Sequence, residues 1–251
     1  MSGQHKTRQA ATVILLRAAE PNGFEVFLTR RPHGMAFLGG MYCFPGGVRR
    51  ADDCSTAMLR LCHGLSPAGA RKIVGAQFSP PDALGLWIAG IRELFEETGI
   101  LLAVDNFCQP WAAEQHNLAD KHAALVKQTL TFRSLLESEE LLCDASRVTY
   151  FSHWQTPEEV PSRFDTRFFL AGLPKGQTPL PTSLEVTHRL WLTPDRALEL
   201  FAEDQLPIIF PTFASLRTLA DFDSLESLLK EYRPRLRYPA RHRGARDQAG
   251  S

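Results

Sequence analysis

Three glutamates, Glu93, Glu96 and Glu97, fall inside one short run, Arg92-Glu93-Leu94-Phe95-Glu96-Glu97-Thr98-Gly99-Ile100. Wound as an α-helix, at about 100° per residue, the three share one face. Spacings of three and four bring their side chains to neighbouring positions, about 5–6 Å apart at Cβ. Leu84, Trp87, Ile88, Ile91, Leu94 and Phe95 make an apolar stripe on the opposite side. Gly99 is placed to stop the helix, because it accepts the left-handed conformation of a C-terminal cap. Like charges this close repel, and folding alone does not ask for that; a divalent cation would relieve it. The plain alternative is an amphipathic helix that turns its acids to water. Arg92 does not decide between them, since an i,i+4 pair with Glu96 contributes only about 0.2–0.5 kcal/mol.

The rest of the chain narrows the choice. Its 251 residues allow one large domain or two small ones. At 44% hydrophobic and 22% charged it has the make-up of a globular protein with a real core. Lys plus Arg and Asp plus Glu both number 28, so no net field points to nucleic acid or to a membrane surface. No apolar run approaches the length of a membrane span. Five cysteines without a C-x-x-C pair read as reduced thiols in a cytoplasmic protein. Ala10–Leu16 is too short for a signal peptide and reads as a strand. Residues 248–251 are not a peroxisomal Ser-Lys-Leu type address.

Along the chain, 11–17 and 24–30 read as a strand hairpin. Arg31–Gly40 reads as an irregular loop, and Pro45-Gly46-Gly47 as a tight turn with accessible backbone. Short helical pieces are expected over 57–63 and 68–74, with a helix start at Ser79-Pro80-Pro81-Asp82. Strands are expected at 100–104, 147–154, 163–170 and 184–192. Helices are expected at 121–136, 194–202, 212–219 and 224–232. The arginine-rich stretch 233–251 reads as a solvated, disordered tail. Strands in runs with helices between them indicate an α/β fold with a mixed sheet.

With Gly47 and Arg92–Ile100 placed, the chain resembles the Nudix hydrolases, whose box reads G-x5-E-x7-R-E-U-x-E-E-x-G-U with U aliphatic. The second half is complete here. Asp53 stands where the family has the first Glu, and residues 54–91 replace a seven-residue spacer, an insertion of 31 residues at about 54–84. That interruption is similar to the acyl-coenzyme A diphosphatase branch. Phe27-Leu28-Thr29-Arg30-Arg31, followed in register by Gly40 and Phe44-Pro45-Gly46-Gly47, is similar to the coenzyme A motif of such proteins, with Pro32 and Ala36 departing from it. Arg163–Phe169 and Trp191-Leu192-x-Pro194 also resemble this branch.

The resemblance implies a single α/β/α sandwich over about 10–232 and hydrolysis of a diphosphate in coenzyme A or acyl-coenzyme A. Mg²⁺ or Mn²⁺ would act as Lewis acid and template, held by oxygen ligands. Glu93 and Glu97 are the first choice of ligands, with Glu96 joining them or holding a second ion. Arg92 would orient the acids. Gly46 and Gly47 would admit the phosphates, and Arg30 and Arg31 would meet them, as guanidinium matches phosphate oxygens in pairs. Glu185 is a candidate general base or an exposed strand acid, and Asp53 a candidate orienting acid. A homodimer stays open. Two alternatives stand beside this reading: hydrolysis of another nucleoside diphosphate derivative, and a nucleotide-sensing module that does not cut.

Overall fold

The computed structural model describes residues 7–19, 21, 23–35, 38–111, 118–160, 162–180 and 186–233. Strands β1 (Arg8–Ala18) and β2 (Phe24–Arg30) begin as the expected hairpin, but they pair only through Leu16–Ala18 and Phe24–Val26. Beyond that they splay, and two short strands fill the wedge. β3 (Tyr42–Cys43) pairs with the end of β2, and β4 (Gly46–Val48) pairs antiparallel with Ala10–Thr12 of β1. Gly46 and Gly47 are therefore strand residues rather than a tight turn. Their lack of a side chain serves close approach: a Cβ on Gly46 would meet the Ala11 carbonyl oxygen at 2.5 Å.

The seven-stranded sheet is completed on its far side by β9 (Phe164–Gly172), parallel to β1, and β8 (Val148–Gln155), antiparallel to β9. On the other edge β10 (His188–Leu192) pairs with β2; the rest of the strand expected from 184 falls on 186–187, which pair irregularly, and on residues outside those described. Side-chain alternation divides the core in two. Val13, Leu15, Phe169 and Ala171 face one cluster, and Ile14, Leu16, Phe168 and Leu170 the other. Each large apolar side chain so buried contributes roughly 1.5–3 kcal/mol. The second cluster is closed by α6 (Pro194–Ala202), α7 (Phe210–Leu219) and α8 (Leu225–Tyr232). Helices thus cover both faces, and the fold is the α/β sandwich expected.

The first cluster is organised by α3 (Pro80–Thr98). Ser79 caps its start by accepting from the Asp82 amide, Pro80 sits where its missing N–H costs nothing, and Gly99 ends it at φ 73°. Gly90 packs against Val13, which lets the helix lie close on the sheet, and the Trp87 indole donates to the Val148 carbonyl at 2.9 Å. One alternative for this helix had its acids turned to water. Instead it is buried on nearly every side, Arg92, Glu93 and Glu97 included.

The box insertion folds as α1 (Thr56–Arg60), β5 (Cys62–His63) and α2 (Pro67–Val74), capped by Ser55 and Ser66. It docks through β5 onto a second sheet in which β7 (Leu141–Asp144) also pairs with β6 (Ala103–Asp105). The strand expected at 100–104 is displaced because Ile100–Leu102 runs straight off the helix cap. There the Gln177 side chain brackets Leu101, accepting from its N–H and donating to its carbonyl, both at 2.8 Å. The single helix expected over 121–136 is two, α4 (Ala119–Val126) and α5 (Phe132–Ser138). Gln128 takes φ 58° and Thr131 caps the second helix, so the chain turns between them.

Candidate active site

Four elements bring charge together on the edge of α3. Asp53, in a 3-10 turn over Asp52–Cys54, lies under Arg92 and accepts from it through both carboxylate oxygens, at 2.8 and 3.0 Å. The same guanidinium donates to Glu93 at 2.7 Å, to Glu96 at 3.2 Å and to the Val48 carbonyl of β4 at 3.0 Å. Arg92 and Asp53 are 2% and 3% exposed, so this pair is a fixed internal tie. The insertion leaves Asp53 where it can orient the helix: its Oδ2 also accepts the Arg50 amide at 2.7 Å.

Glu93 faces the glycine strand. A Cβ on Gly47 would stand 2.6 Å from the Glu93 carboxyl carbon, so any other residue there would push this carboxylate out of its place. Burial pushes the Glu93 carboxyl above the ordinary glutamate value; Arg92 works against that, and Glu96 adds to it. Glu97, 8% exposed, lies toward β3. Its charge adds to burial in pushing the Cys43 thiol up to about 11, while Arg31 works the other way. Cys43 is therefore a protonated packing residue, with Arg31 close enough for its charge to act on the thiol. The Arg31 Nε is buried and finds no hydrogen-bond partner.

Arg30 has one of its donors committed to the protein itself. Its Nε donates to the Gly40 carbonyl at 3.0 Å and its guanidinium lies over the Tyr42 ring, 5.4 Å from the centroid. It shapes the loop that leads into β3. Glu185 lies outside the described residues. Arg50 is the participant that sequence reasoning missed: it grips both Glu96 oxygens, at 2.7 and 2.8 Å, from a side chain 51% exposed. Nothing but its place three residues after Gly47 could have marked it.

Among the described residues, no group of three or more His, Cys, Asp or Glu side chains stands ready to hold a metal ion. The donor set nevertheless fits a hard cation. It consists of carboxylate oxygens, and the buried Glu93 carries an unfavourable charge that a cation would relieve. What occupies Glu96 is a pair of guanidiniums, one buried and one exposed; release of the exposed one frees a carboxylate.

The family described as NUDT19 Nudix domain matches residues 7–219. The human acyl-coenzyme A diphosphatase NUDT19 is 27% identical over 271 residues, covering 91% of this chain and 72% of that protein. Its chicken (Gallus gallus) counterpart is 27% identical over 272 residues, covering 89% and 70%. Among solved structures, the crystal structure of a Nudix hydrolase from Alicyclobacillus acidocaldarius superposes with a TM-score of 0.75 at 27% identity, covering 91% of this chain and 97% of that one.

Proposed function

The chain belongs to the Nudix hydrolases, in the family of the NUDT19 Nudix domain, and from that premise we propose that it cleaves the diphosphate of coenzyme A or acyl-coenzyme A with the help of Mg²⁺ or Mn²⁺. The products are adenosine 3′,5′-bisphosphate and (acyl-)4′-phosphopantetheine. The observation that carries the reading is the buried knot of Asp53, Glu93 and Glu96 on Arg92, with Glu93 held against Gly47. A diphosphate needs its charge neutralised, its leaving group stabilised and a water positioned; little covalent help is required. A bound divalent cation supplies Lewis acidity and a template.

The protein's own residues do the rest. Glu93 and Glu97 would hold the cation, and Glu96 would join them if Arg50 released it. Arg92 and Asp53 fix the carboxylates, so that little reorganisation is needed when substrate arrives. Gly46 and Gly47 let the strand backbone lie close against β1 and the Glu93 carboxylate, next to where the phosphates would bind, and Arg31 supplies positive charge from the β3 side. The general base is one of these acids or Glu185. We place all of this in one catalytic domain over about 10–232, with the insertion as part of it.

The direct test is incubation with coenzyme A and Mg²⁺ or Mn²⁺, with products followed by mass spectrometry and Glu97→Gln as control. Both products should form with the native chain and not with the variant. No cleavage by either chain would refute the reading. A second reading, another nucleoside diphosphate derivative as substrate, is favoured by Pro32 and Ala36, which depart from the coenzyme A motif. Turnover of a dinucleotide, a nucleotide sugar and a nucleoside triphosphate beside coenzyme A separates the two.

A further inference from the structure

A cavity of about 260 Å³ opens beside the carboxylate knot. Glu96, Arg92 and Arg50 form one end of it. The box insertion contributes Met58 as one wall, and α4–α5 contribute Leu125, Leu130 and Phe132 as the other, with Gln128 at the rim. The hollow is partly open to solvent, so a ligand can enter it from outside. Whole small ligands take roughly 300–1,000 Å³. This space therefore suits a segment of a ligand whose remainder lies outside.

The lining says which segment. A purine would need an open aromatic face to stack on. Phe132 does not offer one: it is 5% exposed with its ring tilted against Phe95, the centroids 6.2 Å apart. An aliphatic chain fits these walls, and amide groups along it can meet Gln128 and Thr131 at the mouth. The charged end is continuous with the proposed diphosphate site, because Glu96 and Arg92 belong to both. The walls are also rigid. The His122 Nε2 hydrogen-bonds the Glu96 carbonyl at 3.0 Å, which ties α4 to α3, while Met58 is 1% exposed in the main core.

We propose that this cavity seats the aliphatic, amide-bearing arm of the substrate, the pantetheine side of coenzyme A, and that the insertion in the box exists to supply its inner wall. The proposal rests on the coenzyme A reading above. It assigns the two halves of the substrate to different surfaces, with the nucleotide half away from α4 and α5.

The test compares inhibition by the two products in Leu130→Trp and Gln128→Trp chains. Leu130 is half-buried at the cavity; Gln128 is exposed, so its replacement leaves the core untouched and decides the matter if the first variant does not fold. Both should raise KM for coenzyme A and Ki for 4′-phosphopantetheine by about tenfold, roughly the loss of 1.4 kcal/mol of binding. Ki for adenosine 3′,5′-bisphosphate should stay within about twofold, well under the 1.4 kcal/mol that a tenfold change represents. Unchanged constants for both products, or a parallel rise in both, would overturn the assignment. Failure of the native chain to cleave coenzyme A refutes the coenzyme A reading instead. Calorimetric binding of 4′-phosphopantetheine, compared between the native and Gln128→Trp chains, then still reports on the cavity.

Discussion

Two buried arginines sit on the same side of the same sheet, and they live in opposite electrostatic company. Arg167, on β9, meets Asp165, which also accepts from Gln9 at 2.9 Å and touches the His153 ring. Phe78 covers the guanidinium with its ring centroid 5.0 Å away. One acid meets one base, and their charges balance. Burial works to raise the Asp165 carboxyl, but the Gln9 and Arg167 hydrogen bonds win and hold it below the usual range. Arg92 instead gathers Asp53, Glu93 and Glu96, and with Arg50 added there are still three carboxylates to two guanidiniums. There the Glu93 carboxyl is pushed up. Ala11 pairs with Gly47 on one side and Arg167 on the other, so the two centres are two strand spacings apart, roughly 10 Å. A centre built only for folding balances its charge; the one beside the glycine strand keeps an excess of negative charge, which is what a cation-assisted hydrolase has to present.

The largest effect that would break this contrast lies in activity. Glu93→Gln and Glu97→Gln should each cut turnover by about 10²–10³ or more with the fold intact by circular dichroism, as expected when preorganised charge is removed. Asp165→Asn should leave turnover within about threefold, because the residue touches no part of the proposed site. Equal losses at both centres would erase the distinction.

Stability gives the next largest difference. Arg92→Met strands Asp53 and Glu93 without their buried partner and should cost about 3–5 kcal/mol in urea unfolding. Mg²⁺ should recover part of that loss, since a divalent cation can take the place of the guanidinium. Arg167→Met should also be destabilised, with no recovery on adding Mg²⁺. Recovery at both positions, or at neither, would contradict the account.

Much of this was legible beforehand, for reasons that separate by range of interaction. α3 announced itself through caps and period: Ser79, Pro80 and Gly99 act within a few residues. The grouping of the box acids followed from spacing along the same chain, and Asp53 from the resemblance to the Nudix box. The splay of β1 and β2 around β3 and β4 was not legible, because pairing of Ala11 with Gly47 joins residues far apart in sequence, and two glycines before a valine read locally as a turn. Arg50 was missed for the same reason: its partner is Glu96, beyond the insertion. The break at Gln128 hides in an ordinary helical composition, and both partners of the strand β7, β6 and β5 of the insertion, lie far from it in sequence.

Smaller effects sharpen the comparison further. Arg50→Gln frees one side of Glu96 and should tighten Mn²⁺ binding by up to about fivefold, the scale of a partly exposed ion pair. The two carboxylates should also answer pH in opposite directions. Glu93 has a folded value above its ordinary 4.5, so its contribution to stability is lost as pH rises from there through the folded value; Asp165 lies below its ordinary 3.8, so its contribution is lost as pH falls through that window. Urea titrations of Glu93→Gln and Asp165→Asn against the native chain should therefore differ in the sign of their pH slopes. The acid limb of kcat/KM should correspondingly lie above the ordinary glutamate range.

The most direct measurement is calorimetric titration of Mg²⁺ and Mn²⁺ into the native chain and into Glu93→Gln and Glu97→Gln. Excess negative charge held for a cation predicts that the native chain binds and that each variant loses about tenfold or more in affinity, at least 1.4 kcal/mol. Binding of equal strength in all three chains would place the cation elsewhere and contradict the role given to these acids.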